Sequence, residues 1–271
     1  MTTDKIIVPI DFTSATKNAL DYALQFINGN SSEIILLHIL GQNEKEEARE
    51  KLEKLISEYS DFECKISFEI IKGQVKNEIG RFSKSVDAGL IVMGTHDNSS
   101  FQKLFGTNAM QVVSECKTPF IIIQDSTVFS TIGKIVMTID LERESIQVAK
   151  IAAKLCERYN SELVLIGGDH TDVLLKQKVK VNIKVVLSYL KDAGIKCTIE
   201  LLDRKNFTDE LMMFCKVNDV NMIAASYYAD NFQLLSKKFV QKLLENNLKI
   251  PVLTINAEVI SIGSQFSFLT V

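Results

Sequence analysis

Residues 5–40 read KIIVPIDFTSATKNALDYALQFINGNSSEIILLHIL, and this stretch decides the fold. The β-branched run IIVPI predicts a strand. The segment SATKNALDYALQF has apolar residues at helical spacing, with Thr13 or Ser14 as the expected N-cap, and EIILLHIL predicts a second strand. A strand, a helix and another strand in this order predict a right-handed crossover between two parallel strands.

The same stretch occurs a second time in the chain. Residues 134–169 read KIVMTIDLERESIQVAKIAAKLCERYNSELVLIGGD and align with the first copy without a gap. A second ungapped match joins 77–94 to 209–226. Internal repetition on this scale predicts two domains of one fold, divided near 124–133. The expected segments are a first domain over 1–126, a second domain over 132–258 and a C-terminal tail over 259–271.

The rest of each domain continues the alternation of strands and helices. This alternation predicts an α/β fold, in which a parallel sheet is covered by helices on both faces. Each domain is expected to be a doubly wound, five-stranded sheet of order 3-2-1-4-5, with its ligand-binding crevice where strands 1 and 4 end. In the first domain the further predicted helices are 43–59, 74–86 and 107–117, and the further predicted strands are 64–71, 90–93 and 119–123.

The fifth strand of each domain raises the question of how its edge is covered. The run PFIII (119–123) would leave an apolar sheet edge exposed to pairing. PVLTI (251–255) stands at the equivalent place in the second repeat. We therefore expect the two fifth strands to pair about a pseudo-twofold axis, because the linker gives them a high effective concentration. This arrangement is an intramolecular pseudo-dimer, and a homodimer of the whole chain is left open.

The composition narrows the class of protein. Hydrophobic residues make up 46 % of the chain and charged residues 24 %, which predicts a packed globular core. The net charge is −3 and its signs are mixed along the chain, which argues against nucleic-acid and membrane-surface partners. No apolar run approaches the roughly 18 residues of a membrane span, and the segment MTTDKIIVPID lacks a signal-peptide core. A cytoplasmic protein is expected.

The chain offers few residues suited to catalysis or metal binding. Its five cysteines are scattered without a C-x-x-C, and its three histidines lie at no metal-ligand spacing from them. The cysteines are expected to be small buried apolar groups. No nucleophile–base pair and no P-loop lysine is found, so no enzymatic activity is expected.

The segment GTHDNSSFQKLFGT (94–107) lies between a predicted strand and a predicted helix. Glycine-bracketed loops of this kind often hold phosphate, because unpaired N–H groups and the positive dipole end gather at the start of a helix. Asp11 ends strand 1 and Gly94 ends strand 4, so the doubly wound order brings them together at the switch point. This crevice is the candidate ligand site.

Three elements, VPIDFT, ILLHI and MGTH…GT…PFIII, resemble the universal stress protein family. The resemblance covers nearly all of the first half and more faintly the second, and the whole chain resembles a tandem member. It implies an adenine nucleotide alpha hydrolase-like fold and a site for ATP or another adenine nucleotide such as AMP. In the family the strand-1 Asp contacts adenosine, a backbone group after the strand-2 His recognises adenine, and the strand-4 loop wraps ribose and phosphates. These roles fall on Asp11, Ile39, Met93, Gly94, Gly106, Thr107 and Asn108.

The candidate loop departs from the family pattern G-x2-G-x9-G-(S/T) in two ways. Asp97 replaces the second glycine, and eight residues instead of nine separate it from Gly106. At about 4 Å its carboxylate would repel a phosphate by on the order of 1–4 kcal/mol. A bridging Mg²⁺ would reverse that effect, because hard cations bind carboxylate and phosphate oxygens together. Weaker triphosphate binding is expected without the metal.

The second domain departs further. Asp140 matches Asp11, but the ungapped register puts Ser226, Ala229, Lys238 and Phe239 in place of Gly94, Asp97, Gly106 and Thr107. This domain is expected to have lost the nucleotide site and kept the fold. Lys237 and Lys238 are either solvated surface or an anion-attracting pair.

Alternatives stay open both for the candidate residues and for the function. Asp11 could hold the strand-to-helix turn instead of a ligand, and His38 is expected to be structural. The leading expectation is a non-enzymatic cytoplasmic stress-response protein that binds an adenine nucleotide in its first domain. The main alternative is a protein-interaction module that no longer binds nucleotide. An α/β enzyme such as a nucleotidyl transferase is disfavoured, because the chain has no H-x-G-H or PP-loop signature.

Overall fold

The structure is a computed structural model that divides into two compact units, Met1–Phe129 and Ser130–Val271. The predicted tail over 259–271 lies outside the described residues. The structure describes residues 4–27, 32–40, 45–95, 108–228 and 234–257, without the side chains of 4, 108, 109 and 234–237.

The first unit contains one parallel sheet of five strands. The strands are β1 (Asp4–Pro9), β2 (Ser32–Leu40), β3 (Lys65–Lys72), β4 (Leu90–Thr95) and β5 (Phe120–Gln124). The helices are α1 (Ser14–Leu24), α2 (Lys45–Ser57), α3 (Val75–Ser85) and α4 (Asn108–Ser114). The strands pair in the order β3-β2-β1-β4-β5, all parallel, so the α/β fold expected from the sequence is confirmed.

The second unit repeats this architecture. Its strands are β6 (Lys134–Ile139), β7 (Glu162–Asp169), β8 (Cys197–Asp203), β9 (Met222–Tyr227) and β10 (Val252–Asn256). A 3₁₀ helix (Arg143–Ile146) precedes α5 (Ala149–Tyr159), and α6 (Val173–Asp192), α7 (Phe207–Val217) and α8 (Leu234–Leu244) follow. The order is β10-β9-β6-β7-β8, again all parallel. Pairing between the two fifth strands stays a prediction.

The hydrophobic core of each unit lies on both faces of the central strands. In the first unit Val8, Leu36 and Val92 are fully buried, because helices cover the sheet on each side. The edge strand β3 is instead half-exposed along most of its length, as its alternating sequence indicates. Continuous apolar runs thus mark the interior strands, and an alternating pattern marks the edge.

Helix α1 is fastened at its N-terminal half to the end of β5. Thr13 is its N-cap in an extended conformation, but the Thr13 side chain makes no capping hydrogen bond. The Asn18 side-chain amide donates to the main-chain carbonyls of Gln124, Asp125 and Thr127 at 2.9–3.2 Å. These bonds fix the start of α1 above the carboxyl ends of the strands, where the candidate site lies.

The five cysteines are all free, and Cys116, Cys156 and Cys215 are buried as expected, whereas Cys64 and Cys197 are half-buried. Burial raises the thiol pKa of Cys156 from 9.0 to about 12, with the neighbouring Cys197 adding to the shift. Burial likewise raises the pKa of Cys197 to about 11 and that of Cys215 to about 12. Each of these shifts favours the neutral thiol in the folded state.

These raised pKa values predict loss of stability in alkaline solution. The stabilisation of the folded state by a neutral thiol is fully present below the unfolded pKa near 9 and is lost as the pH rises toward 12. We expect the urea midpoint of unfolding to fall progressively between pH 9 and 11, and the fall to be smaller in Cys215→Ala. A midpoint that stays constant over this interval would contradict the prediction.

Candidate functional site

The sheet of the first unit brings the predicted ligand residues together at its carboxyl end. Pro9 pairs with Leu37 in the β1–β2 register, and continuing that register sets Asp11 level with Ile39. The β1–β4 register, continued in the same way, sets Asp11 level with Thr95. Residues separated in the sequence therefore meet where strands 1 and 4 end, which is the expected crevice.

The two carboxylate oxygens of Asp11 have different environments. Oδ1 accepts hydrogen bonds from the Thr13 main-chain N–H (3.0 Å) and from the Thr13 hydroxyl (2.5 Å). Oδ2 is buried and has no hydrogen-bond partner among the described residues. Buried polar oxygens are normally paired, so Oδ2 is suited to a ligand donor. One oxygen thus holds the turn while the other is available, and both interpretations of Asp11 receive support.

Ile39 presents its backbone to the same crevice. The Leu37 carbonyl accepts from the Ile10 N–H at 2.9 Å, so Leu37 faces the β1 side of β2. Backbone groups alternate in direction along a parallel strand, and those of Ile39 therefore also face this side, beyond the end of β1. His38 donates from Nδ1 to the Ile10 carbonyl at 2.8 Å, which confirms its expected structural role.

Gly94 is required for packing between β4 and α1. A Cβ at this position would lie 2.0 Å from the Ala15 carbonyl oxygen and 2.5 Å from the Ala15 carbonyl carbon. The sequence interpretation assigned Gly94 to a ligand and missed this contact. The alanines at 15, 19 and 23 are the signal that could have revealed it, because small residues spaced by four allow a helix to approach a sheet closely. Met93 is fully buried, so its side chain belongs to the core.

Phe12 is a neighbour of the crevice that the sequence interpretation did not select. It follows Asp11 with a φ of 65°, a left-handed conformation that costs a non-glycine residue on the order of 1–2 kcal/mol. The centroid of the Phe12 ring lies 4.8 Å from that of the His38 ring, and the Lys51 ammonium lies 5.5 Å from the Phe12 centroid. The only sequence signal for the position of Phe12 beside the crevice is that an aromatic residue directly follows the strand-1 Asp.

The part of the predicted site that would bind phosphate stays a prediction from the sequence. Gly106 and Thr107 lie outside the described residues, as do His96 and Asp97. Asn108 is the first residue of α4, and its side chain is not described.

Over the described ranges, no cluster of His, Cys, Asp and Glu forms a potential metal site, and no helix has the length and apolar character of a membrane span.

A cavity of about 250 Å³ lies at the carboxyl end of the second sheet. Ile139 pairs with Gly167, and continuing that register sets Asp140 level with Gly168, as Asp11 is level with Ile39 in the first unit. The sequence interpretation expected this site to be lost. The polar and charged side chains that line it include Asp140, His170, Arg204, Ser226, Lys238 and Lys242.

Tyr228 also lines this cavity, and it is buried. Burial, with a further contribution from the Asp140 carboxylate, raises the pKa of the Tyr228 hydroxyl well above its usual value, while the Ser145 hydroxyl opposes the shift. The phenol therefore stays protonated at neutral pH and can donate a hydrogen bond.

The doubly wound fold, present twice and with polar residues gathered at the strand ends, places the chain among α/β proteins with a switch-point ligand crevice. The family model "Universal stress protein family" matches residues 2–124. Two universal stress proteins of Methanocaldococcus jannaschii are 22% and 24% identical over 152 and 138 residues, each match spanning 44% of this chain and 94% and 81% of those proteins. Most of the first unit is therefore similar to the universal stress protein family.

The whole chain also matches a solved structure. A universal stress protein from Archaeoglobus fulgidus superimposes with a TM-score of 0.75 and 16% sequence identity, covering 94% of this chain and 99% of that one. At this identity the match shows the fold of both units. The resemblance read from VPIDFT, ILLHI and MGTH is confirmed.

Proposed function

We propose that the protein is a non-enzymatic stress-response protein of the cytoplasm that binds an adenine nucleotide in its first unit. The observation that carries this proposal is the Asp11 carboxylate. Oδ2 is buried without a partner among the described residues, at a strand-end crevice where the family pattern places adenosine. The backbone of Ile39 faces the same crevice and supplies groups suited to the adenine edge.

The remaining contacts of the proposed site belong to the strand-4 loop. The backbone at Met93 and Gly94 leads into this loop, and Gly106, Thr107 and Asn108 complete the family pattern for ribose and phosphate. Asp97 carries a negative charge into the loop, so we propose that a triphosphate binds with Mg²⁺ between Asp97 and the phosphates. A monophosphate such as AMP carries less charge and needs the metal less.

Replacing Asp11 with asparagine tests the site. The variant keeps an acceptor for Thr13 but can present an N–H donor in place of the unpaired Oδ2 acceptor. We expect the affinity for AMP, measured by isothermal titration calorimetry, to fall about tenfold, because hydrogen bonds to a charged group are worth roughly 1.5–3 kcal/mol. Asp140→Asn makes the same change at the matching position of the second unit and should leave AMP binding unchanged.

Titration of ATP with and without Mg²⁺ tests the metal. We expect Mg²⁺ to strengthen ATP binding and the Asp97→Gly variant to lose that dependence. Metal-independent binding by the unmodified chain would refute the bridge. A chain that shows no saturable binding of ATP or AMP at millimolar concentration would sink the nucleotide proposal and leave the protein-interaction module as the function.

A further inference from the structure

The two units differ where the chain leaves their first strand. In the first unit α1 begins at Ser14, three residues after Asp11. In the second unit the corresponding segment forms the 3₁₀ helix Arg143–Ile146, and α5 begins only at Ala149. The first helical turn above the carboxyl end of the second sheet is thus rearranged, and the cavity lies beside it.

The residue at position 226 gives a physical reason for this rearrangement. Ser226 stands in the register of Gly94, where a Cβ would lie 2.0 Å from a backbone carbonyl of the first turn of α1. In the second unit the Ser226 hydroxyl donates instead to the Ser145 carbonyl at 3.2 Å. A side chain at 226 and a regular first helical turn compete for one space, so the substitution favours the altered turn.

One wall of the cavity is apolar. The rings of Phe207 and Phe239 lie 5.8 Å apart at 52°, and both residues line the cavity together with Ile139. Phe239 occupies the register of Thr107, the hydroxyl that the family pattern gives to phosphate. An aromatic pair here provides a surface for the apolar body of a ligand and takes the place of a phosphate loop.

The other wall is cationic. A Cβ at Gly168 would lie 3.0 Å from Arg204 Cδ and 3.4 Å from His170 Nε2, so these two side chains pass close over the end of β7. Lys238 and Lys242 are four residues apart on α8 and therefore share one helix face. Their like charges repel weakly, and an anion between this face and Arg204 would relieve the repulsion.

The cavity lining holds fewer negatively charged side chains than positively charged ones. Asp140 is the only carboxylate among the described lining residues, while Glu142 and Glu144 act on Tyr228 from nearby. Ser145 is 2% exposed, and its hydroxyl makes no hydrogen bond of standard geometry among the described residues, although it lies near that of Tyr228. A buried hydroxyl of this kind is suited to a ligand partner or an ordered water.

We propose that this cavity is a binding site for a compact organic anion, with an apolar or aromatic body against Phe207 and Phe239 and one phosphate or carboxylate head at Arg204 and Lys238. The guanidinium group of Arg204 matches the geometry of either head. The volume of about 250 Å³ lies just below the roughly 300–1,000 Å³ of sites for drug-sized ligands, so the occupant is small. The site is separate from the proposed nucleotide crevice of the first unit.

Phenyl phosphate is the probe that tests this site, with calorimetry on the full chain as the measurement. We expect saturable binding that weakens about tenfold or more in Arg204→Gln/Lys238→Gln, because charge-assisted hydrogen bonds to the head are lost. Both replaced side chains are exposed, so the variant should fold normally. The double variant Lys178→Gln/Lys196→Gln removes the same charge from exposed positions that do not line the cavity and should bind as the unmodified chain does.

Three comparisons make the outcome decisive. Inorganic phosphate and phenyl glucoside, which lack the body and the charge respectively, should each bind at least about tenfold more weakly than phenyl phosphate. Equal binding of either one, or no saturation by phenyl phosphate at about 10 mM, which corresponds to a binding free energy weaker than about −4 kcal/mol, overturns the proposal. Asp11→Asn should leave phenyl phosphate binding unchanged; a loss there would place the probe in the first unit and also overturn it, whatever the result with AMP.

Discussion

Replacing Gly94 with alanine should lower the free energy of unfolding of the first unit by about 3 kcal/mol, a large effect for one added methyl group. The new Cβ would lie 2.0 Å from the Ala15 carbonyl oxygen, which is far inside van der Waals contact. The obstacle is backbone held in α1, so no side chain can rotate out of the way. Either β4 or the first turn of α1 must move, and both are tied to the sheet.

Urea denaturation followed by circular dichroism measures this change as a lower midpoint of unfolding. Gly133→Ala is the matched control, because its Cβ would lie 3.4 Å from the Asn221 side-chain oxygen, a contact that a small shift relieves. The control should lose less than about 1 kcal/mol. Equal midpoints for Gly94→Ala and the control would show that α1 adapts to the added methyl group without cost.

Replacing Asn246 with alanine should lower the free energy of unfolding of the second unit by about 4 kcal/mol. Asn246 is 4% exposed and lies between α8 and β10. Its amide donates to the carbonyls of Leu243 and Ile250, each at 2.8 Å, and its Oδ1 accepts from the Ile250 N–H at 3.0 Å. Alanine would leave the Ile250 N–H and the Ile250 carbonyl without these partners, each at a cost of roughly 1–3 kcal/mol, while the Leu243 carbonyl still accepts from the Asn246 main-chain N–H at 3.3 Å.

The neighbouring Asn247 supplies the control for this second variant. Asn247 is exposed, so Asn247→Ala should change the midpoint by less than about 0.5 kcal/mol. Hydrogen exchange adds a local readout, because loss of the Asn246 bonds should speed exchange at Ile250 and along β10. If both alanine variants unfold at the same urea concentration, the side-chain bonds of Asn246 do not hold this connection.

The fold was predictable because it depends on patterns that local sequence carries. Period-3.6 and continuous apolar runs separated helices from interior strands, and the alternation in β3 marked an edge. Element ends were less well predicted. The first strand was expected to extend to Ile10 and ends at Pro9, and the helix expected over 107–117 is observed over Asn108–Ser114. Ends depend on capping and tertiary contacts that periodicity does not contain.

The first candidate site was predictable in part for the same reason. Asp11 and Ile39 meet because a doubly wound order fixes which strand ends are neighbours, whatever the side chains. The separate environments of the two Asp11 oxygens were not predictable, since they depend on how Thr13 turns its hydroxyl. The position of Phe12 beside the crevice was not predictable either. It depends on a left-handed backbone conformation, which a glycine or asparagine would have indicated in the sequence and a phenylalanine does not.

By itself, the sequence determined that the chain holds two doubly wound α/β units and that the first carries the pattern of the universal stress protein family. It could do so because repeats, periodicity and motif spacing are linear properties. Only the tertiary structure decided that Gly94 is held by packing against Ala15 and that the second unit keeps a cavity. Those facts depend on distances between atoms far apart in the chain, where one Cβ at Ser226 competes with a helical turn for space.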